Sequence, residues 1–492
     1  MGRDVPAISV SHYDRRAYRA KARSCLDVFA RMLREAKFDT EPLHIGLEIE
    51  LNLVDELGLP SMKNTEVLRA IADSSWASEL GQFNLEINVP PLPLAQDALA
   101  QLERGVVASL GHAEKRARQA GSHLVMIGIL PTLRESDVGE HAMSASPRYR
   151  LLNEQITAAR GEEMRISIEG RERLLTHVDT ITPEAACTSV QCHVQVSPES
   201  FASYWNAAQA VAGAQVAVAA NSPFLFGREL WRETRLTLFE QVTDTRPDEL
   251  KEQGVRPRVW FGERWIGSAF DLFAENLRYF PALLPLCDAE DPAEVLDNGG
   301  IPNLSELTLH NGTIYRWNRP VYAVVDGKPQ LRLENRVLPA GPTVADIMAN
   351  TAFYTGLVRA LAEADRPVWS QMSFAAAADN LAEGARHGID ARLYWPGLGV
   401  VPVTELVLRR LLPLAVEGLR RWGVTTADAE RLLSVIEQRC LSGRTGATWQ
   451  SESVRALADG GHADRHEALR LMTQGYIERM TTNQPVHRWP SV

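Results

Sequence analysis

Paired cysteines are missing from this chain of 492 residues. Its five cysteines are an odd number, and their spacings are not the short paired spacings of a zinc site. Cys187 and Cys192 lie close together in the sequence, but the strand expected there makes a local disulfide awkward. We therefore expect reduced thiols, which are typical of a cytoplasmic protein.

Long apolar runs and an excess of positive charge are missing as well. Residues 207–220, the longest weakly polar stretch, are too few and too interrupted by glutamine to span a bilayer. The charged N-terminus, with Arg3 and Asp4, lacks the apolar core of a signal peptide. The net charge of −10 is not offset by a basic run with interleaved aromatics, which argues against a nucleic-acid binder. We expect no membrane partner and no nucleic-acid partner.

The familiar nucleotide and nucleophile motifs are also absent. The sequence contains no GxxxxGK[ST], no GxGxxG after a strand and no GxSxG. No cysteine is marked by the sequence as the partner of a basic histidine. Candidate chemistry must therefore be sought in the strands.

The character of the chain changes near Pro342. Before it, strand-like and helical patterns mix, starting with a helix over about residues 14–36 and including a hairpin over 323–337 that turns at Asp326-Gly327. The clearest long loop covers 288–302. Beyond Pro342, helices are expected over 343–364, 374–387, 403–422, 426–438 and 451–480, with residues 444–450 as a structural loop. We predict a mixed α/β catalytic body over 1–342 and a helical portion over 343–492 packed on it.

Four strand-like segments carry polar side chains on one face and apolar side chains on the other. In a strand, residues two apart share a face. The second segment, residues 81–89, is expected to stop at Pro90 and Pro91. The four polar faces carry Glu48 and Glu50; Glu86 and Asn88; Gln191, His193 and Gln195; and Arg332, Glu334 and Arg336.

These faces favour a shared metal site if the four strands are neighbours. Adjacent like charges such as Glu48 and Glu50 repel, so water or a cation must compensate them. Taken singly, each face also fits a solvated strand, a hydrogen-bonded core histidine or a surface ion-pair ladder. Carboxylates with one imidazole suit Mg²⁺ or Mn²⁺, and such ions would neutralise a triphosphate in an acidic protein. Phosphoryl transfer suits this site because the protein's task there is positioning and charge stabilisation.

The order and spacing of several short motifs resemble the glutamate–cysteine ligase and carboxylate–amine ligase superfamily, in its bacterial/plant-type branch. The matching pieces, within about residues 40–360, are IGLEIE at 45–50, residues 81–88 and 189–196, ANSPF at 220–224 followed by Arg235, HNGTI at 310–314, and LRLENR at 331–336. The resemblance implies an α+β, glutamine-synthetase-like fold. In that fold a curved antiparallel sheet, flanked by helices, forms the active-site wall.

The resemblance also implies an ATP- and Mg²⁺-dependent ligase. The γ-carboxylate of glutamate, or a similar carboxylate, is phosphorylated to an acyl phosphate, which an amine then attacks. The residues at metal-holding positions are Glu48, Glu50, Glu86, His193 and Glu334, of which Glu334 is also counted as catalytic. Arg336 matches a catalytic, phosphate-facing arginine. Arg235 matches the arginine that binds the substrate α-carboxylate, with Arg232 as the alternative. Asn88 is assigned to substrate binding as well. His310 and Thr313 match a polar segment near the nucleotide.

Several alternatives stay open at this point. The acceptor amine is cysteine, another amino acid, a polyamine or a peptide, and assembly into a homo-oligomer is left open. A guanidino-type phosphotransferase has a related core and would form no acyl phosphate. A catalytically degenerate nucleotide-binding or interaction protein of the same fold is a third reading. Buried charges without a function are costly to keep, which argues against that third reading.

Overall fold

The structure, a computed structural model, describes residues 12–35, 38–41, 43–459 and 464–490. The N-terminal segment examined for a signal peptide, residues 1–11, lies outside this range, as does the expected helix end at Ala36.

The strands are as follows: β1 His44–Val54, β2 Trp76–Ser78, β3 Asn84–Pro93, β4 His123–Val125, β5 Met164–Glu169, β6 Arg173–Val178, β7 Ser189–Gln195, β8 Phe224–Leu225, β9 Arg228–Glu229, β10 Val259–Trp260, β11 Tyr315–Arg316, β12 Asn318–Val325, β13 Lys328–Pro339, β14 Arg392–Trp395 and β15 Gly399–Pro402. The α-helices are α1 His12–Arg34, α2 Asn64–Ile71, α3 Ala98–Gln119, α4 Pro147–Arg160, α5 Phe201–Ala219, α6 Thr234–Val242, α7 Asp248–Glu252, α8 Ala269–Tyr279, α9 Pro292–Asp297, α10 Ser305–Asn311, α11 Val344–Ala362, α12 Phe374–His387, α13 Val403–Leu406, α14 Leu412–Trp422, α15 Thr426–Ser442, α16 Gly446–Asp459 and α17 Arg465–Thr481.

A curled antiparallel sheet organises the molecule, which confirms the expected mixed fold. Its strands lie in the order β12-β13-β7-β1-β3-β2, and β4 pairs with the far end of β1. The hairpin predicted at Asp326-Gly327 is formed by β12 and β13. The sheet therefore brings together strands that are distant in the sequence.

One face of this sheet is covered by helices. Leu47, Val194 and Leu333 point into a large hydrophobic core that also contains residues of α5 and α11. Nearly every residue of these two helices is buried. Because apolar and polar residues alternate along the strands, burying the apolar side leaves the polar side on the opposite face.

The expected end of the second strand at Pro90 is wrong, because β3 runs on to Pro93. Its pairing with β1 continues past a register shift between Ile45 and Leu47. Strand β2 pairs only with residues 85–87 of β3, so the later part of β3 has an open edge on that side. Proline is tolerated there, since no neighbouring strand needs its missing N–H.

The C-terminal portion is helical, with some boundaries that differ from expectation. The helix predicted over 403–422 is interrupted by a π-helical turn at Val407–Leu411. Pro413, which follows directly after Leu412, has no N–H to continue the regular bonding. The helix predicted over 451–480 is two helices, α16 and α17. Because α16 begins at Gly446, most of the expected loop 444–450 is helical.

Three further findings concern the expected loop, the lengths of the helices and the expected boundary at residue 342. The expected long loop 288–302 contains the short helix α9. No helix in the described part of the chain is long and apolar enough to cross a membrane. The boundary at residue 342 stays a prediction, and residues on both sides of it share one core.

Candidate active site

The structure brings the four polar strand faces together on four neighbouring strands. Glu48 lies opposite Asn88 of β3 and opposite Gln191 of β7. Glu50 lies opposite Glu86 in the next row. On the other side of β7, Glu334 of β13 lies opposite His193. The polar side chains form one continuous surface, called the carboxylate face below.

Glu48 of β1 and His193 of β7 form an ion pair across neighbouring strands. The Oε1 atom of Glu48 is 3.3 Å from Nε2 of His193, and both side chains are largely buried. Burial raises the pKa of Glu48, whereas His193 and then Arg336 lower it, and the net pKa is below the ordinary value. The Nδ1 atom of His193 is buried and has no hydrogen-bonding partner among the described residues.

Glu50 and Glu86 are buried carboxylates that form no ion pair with a basic side chain in the described part of the chain. Glu50 accepts hydrogen bonds from the Ser189 backbone N–H at 2.6 Å and from Gln191 Nε2 at 2.9 Å. Glu86 accepts one from Asn88 Nδ2 at 2.9 Å. Burial raises the pKa of Glu50, and burial together with repulsion from Glu48 and Glu50 raises the pKa of Glu86 to about 7. A cation placed between them would relieve both effects.

Glu334, in contrast, is already paired with two arginines. Arg319 donates to both of its oxygens, each at 2.9 Å, and Arg336 donates to Oε1. Burial raises the pKa of Glu334, but Arg319 and Arg336 outweigh it and bring the pKa to about 2. Arg336 also donates to Gln191, which in turn bonds Glu50. The arginine thus links the two sides of the carboxylate face.

Two further carboxylates near this face were missed by the sequence reasoning. Glu79 directly follows β2 and lies 3.5 Å from the hydroxyl of Tyr149. Burial, then repulsion from Glu86 and Glu50, raises its pKa well above the ordinary value. Glu184 lies in a 3₁₀ helix at Thr182–Ala186, and burial, then Glu50, raises its pKa to about 8. Neither residue belongs to an alternating strand pattern, so the signal used for the others does not reach them.

Arg235, whose predicted role in binding a substrate carboxylate stays a prediction, forms hydrogen bonds to protein groups in this structure. It is 3% exposed, and its Nε donates to Glu233 at 2.9 Å. Its two terminal nitrogens donate to the backbone carbonyls of Arg336 and Val337. The alternative, Arg232, donates to Ser451 Oγ at 3.0 Å, and neither arginine bonds a side chain of the carboxylate face.

His310 and Thr313 lie at the end of α10 and bond locally. His310 Nε2 is 2.9 Å from the Asn276 carbonyl, and burial lowers its pKa to about 4. Thr313 Oγ1 donates to the His310 carbonyl at 2.9 Å. Among the described residues, neither side chain has a hydrogen bond to the carboxylate face. Their predicted place beside the nucleotide stays a prediction.

The donor atoms of the carboxylate face fit divalent cations that each take two protein ligands, rather than ions held by protein ligands alone. In the described part of the chain, no three His, Cys, Asp or Glu side chains converge so as to hold an ion by themselves. Mg²⁺ in nucleotide sites commonly takes one or two protein carboxylates and completes its shell with water and phosphate oxygens. The Glu48–His193 pair and the Glu50–Glu86 pair meet that requirement, and the unpartnered His193 nitrogen is consistent with it.

Comparison with known proteins gives one family match. The model of glutamate-cysteine ligase family 2 (GCS2) matches residues 44–482. No curated protein matches the sequence.

Three solved structures are similar over most of this chain. A glutamate–cysteine ligase from Francisella tularensis in complex with AMP is 10% identical, over 93% of this chain and 97% of its own, with a TM-score of 0.49. A bifunctional glutathione synthetase from Pasteurella multocida is 13% identical, over 93% of this chain and 55% of its own, also with a TM-score of 0.49. The third, the complex of the ubiquitin-like protein Pup with its ligase PafA, is 10% identical, over 86% of this chain and 70% of its own, with a TM-score of 0.36.

Proposed function

This chain belongs to the glutamate-cysteine ligase family 2, and we propose that it is an ATP- and Mg²⁺-dependent ligase. It joins the γ-carboxylate of glutamate, or a similar carboxylate, to an amine. One observation carries the proposal most directly: Glu50 and Glu86 lie opposite one another on adjacent strands, both are buried, and burial raises the pKa of each. Such a face suits cations that carry a polyphosphate.

The chemistry follows from the poor leaving ability of hydroxide. Transfer of the γ-phosphoryl group of ATP to the substrate carboxylate forms a carboxyl–phosphate bond and releases ADP. The amine nitrogen then attacks the acyl carbon, inorganic phosphate leaves with the bonding electrons, and the nitrogen loses a proton. Both steps need the reactants held in line and away from water, because water would hydrolyse the acyl phosphate.

Each part of the carboxylate face has a task in this proposal. Glu48 with His193, and Glu50 with Glu86, are the ligands proposed for Mg²⁺, or for Mn²⁺ in its place. When bound, such ions neutralise the phosphate oxygens as charge develops on them. Arg336 presents a rigid guanidinium to the transferred phosphoryl group.

The remaining predicted residues take subordinate tasks. Glu334 shares its oxygens with Arg319 and Arg336, so an ion that joins it competes with those arginines. Asn88 bonds Glu86 and stays the proposed substrate-side amide on β3. The acceptor amine is not specified by any of these contacts.

A coupled assay of ADP release tests the proposal. We expect release to require Mg²⁺ and a carboxylic acid such as glutamate, and to rise when the right amine is added. Mass spectrometry of mixtures with candidate amines should detect the amide product. ATP turnover that ignores every carboxylic acid would exclude a ligase, and a phosphorylated guanidino product would identify a phosphotransferase instead.

A further inference from the structure

A β-bulge in β13 includes Arg336. In the pairing of β13 with β7, Asn335 lies opposite Cys192 but Leu338 lies opposite Val190. Strand β13 therefore has one extra residue here, and Arg336 and Val337 together face a single residue of β7. Arg336 keeps the face that alternation predicts, where it bonds Glu334 and Gln191, but the bulge leaves local backbone groups without their usual partners.

Arg235 supplies the partners that the bulge lacks. Its Nη1 donates to the Arg336 carbonyl at 3.3 Å, and its Nη2 donates to the Val337 carbonyl. The guanidinium also lies over the indole of Trp317, 5.7 Å from the ring centre, and the Trp317 carbonyl accepts the Arg336 N–H at 2.8 Å. Arg235 thus contacts the bulge directly and also through Trp317.

Arg235 is itself held by a buried network that reaches the C-terminal helices. Glu233, fully buried, accepts from Arg235 Nε at 2.9 Å and from the Asn221 backbone N–H at 2.8 Å. The Asn221 side chain bonds Tyr476 of α17 at 2.9 Å and Gln450 of α16 at 2.8 Å. The position of Arg235 is therefore tied, through Glu233 and Asn221, to α16 and α17.

We propose that Arg235 is a positioning residue that clamps the bulge of β13 and so aims the Arg336 side chain at the carboxylate face. This inference rests on the proposed function, in which Arg336 acts on the transferred phosphoryl group. Lysine cannot replace Arg235, because a single ammonium cannot span Glu233 and two backbone carbonyls in one plane.

The kinetic test uses Arg235→Lys, Arg336→Lys and the double variant. A residue that acts through another should show no separate effect once the other is changed. We expect Arg235→Lys to lower kcat by about tenfold to a hundredfold, the range seen when groups that orient active-site residues are changed. The KM for the carboxylic acid should move by less than about threefold, and the double variant should be no slower than Arg336→Lys alone.

Arg439→Lys is the matched control. Arg439 is as buried as Arg235 and pairs with buried Asp346 at 2.7 Å, but it joins α15 to α11 and does not contact β13. We expect Arg439→Lys to lower the melting temperature as much as Arg235→Lys does, while its kcat stays near that of the wild type. In Arg235→Ala, added guanidinium ion should recover part of the lost kcat.

Several outcomes would overturn the inference. A raised KM for the carboxylic acid with unchanged kcat would make Arg235 a substrate-binding residue. Losses in kcat that multiply in the double variant, or that are equal in Arg439→Lys, would remove its link to Arg336. If the wild type turns over no ATP with any carboxylic acid, the proposed function fails. The positioning role of Arg235 is then tested separately, by calorimetric titration of the protein with Mg²⁺ and ADP. Arg235→Lys and Arg336→Lys should both weaken that binding; unweakened binding in Arg235→Lys, or no binding by the wild type, would contradict the clamp.

Discussion

At the level of single side chains, negative charge exceeds positive charge on and around the carboxylate face. The carboxylates there are Glu48, Glu50, Glu79, Glu86, Glu184 and Glu334. Arg319 and Arg336 both bond Glu334, and Glu48 pairs with His193, whereas Glu50, Glu79, Glu86 and Glu184 form no ion pair with a basic side chain of the described residues. Burial raises the pKa of several of these groups, so in the absence of cations the folded protein holds extra protons. A bound divalent cation would take the place of those protons.

Glu48→Gln should abolish ligase turnover without unfolding the protein. The amide keeps the volume of the side chain but removes the charge that would hold a metal ion beside His193, and metal ions contribute several kcal/mol to such reactions. We expect kcat to fall by at least about a hundredfold, measured by ADP release. The control is Glu103→Gln, because the Glu103 side chain is 16% exposed against 18% for Glu48 and pairs with Arg431, a residue outside the carboxylate face. Near-normal activity in Glu48→Gln would show that the metal assignment is wrong.

Glu184 makes stability depend on pH in the metal-free protein. Burial raises its pKa to about 8 in the folded chain, whereas the ordinary value is 4.5. At a pH between these two pKa values, Glu184 is therefore ionised in the unfolded chain but still protonated in the folded chain. Unfolding is therefore increasingly favoured as the pH rises, by at most about 1.4 kcal/mol per pH unit for one proton. In urea unfolding with a chelator between pH 5 and 8, Glu184→Gln should show a shallower fall in stability than the wild type and Glu103→Gln. Parallel curves for all three proteins would contradict the shifted pKa.

At the level of elements, close helix crossings depend on glycine. Helices α11 and α14 meet at Gly356 and Gly418, where a Cβ built on Gly418 would lie 1.8 Å from the Gly356 carbonyl oxygen. A methyl group there would force the two helices apart. Glycine at this position is therefore a packing requirement, although it costs helix propensity.

Gly418→Ala should destabilise the protein, by about 1–3 kcal/mol or more, as overpacking of a tight interface does. The measurement is the free energy of unfolding in urea. Gly111→Ala in α3 is the matched control, since nothing lies within 4 Å of a Cβ built there. That change should stabilise the helix by about 0.5–1 kcal/mol. If both variants gained stability, the helices would not be packed at this crossing as described.

Local patterns predicted some elements well and others poorly, for physical reasons. Alternation with a period of two identified β1, β7 and β13 and their polar faces, because that period is visible without knowing which strand lies beside which. The bulge at Arg336 and the passage of β3 through Pro90 both depend on the neighbouring strand, which no local pattern reveals. Glu184 lies in a 3₁₀ turn and reaches the site only through tertiary packing.

At the level of the whole molecule, one hydrophobic core joins the sheet to the C-terminal helices. Leu47 of β1 and Val194 of β7 belong to the same cluster as Leu357 of α11 and Leu411, beyond residue 342. Tyr476 of α17 adds a hydrogen bond to the Met126 carbonyl at 2.8 Å. The helical portion therefore covers a face of the sheet that would otherwise be open to water.

A chain cut after Pro342 should for this reason fail to fold alone. Removing α11 and its neighbours uncovers α5 and the apolar side of the sheet, which is more apolar surface than a folded domain tolerates. We expect residues 1–342 to lack a cooperative unfolding transition and to bind an apolar dye. Mixing or co-expressing them with residues 343–492 should restore both cooperative unfolding and the nucleotide affinity of the intact chain. A cooperative transition in residues 1–342 alone would instead make position 342 a boundary between independent domains, and the C-terminal helices would then be dispensable for the core.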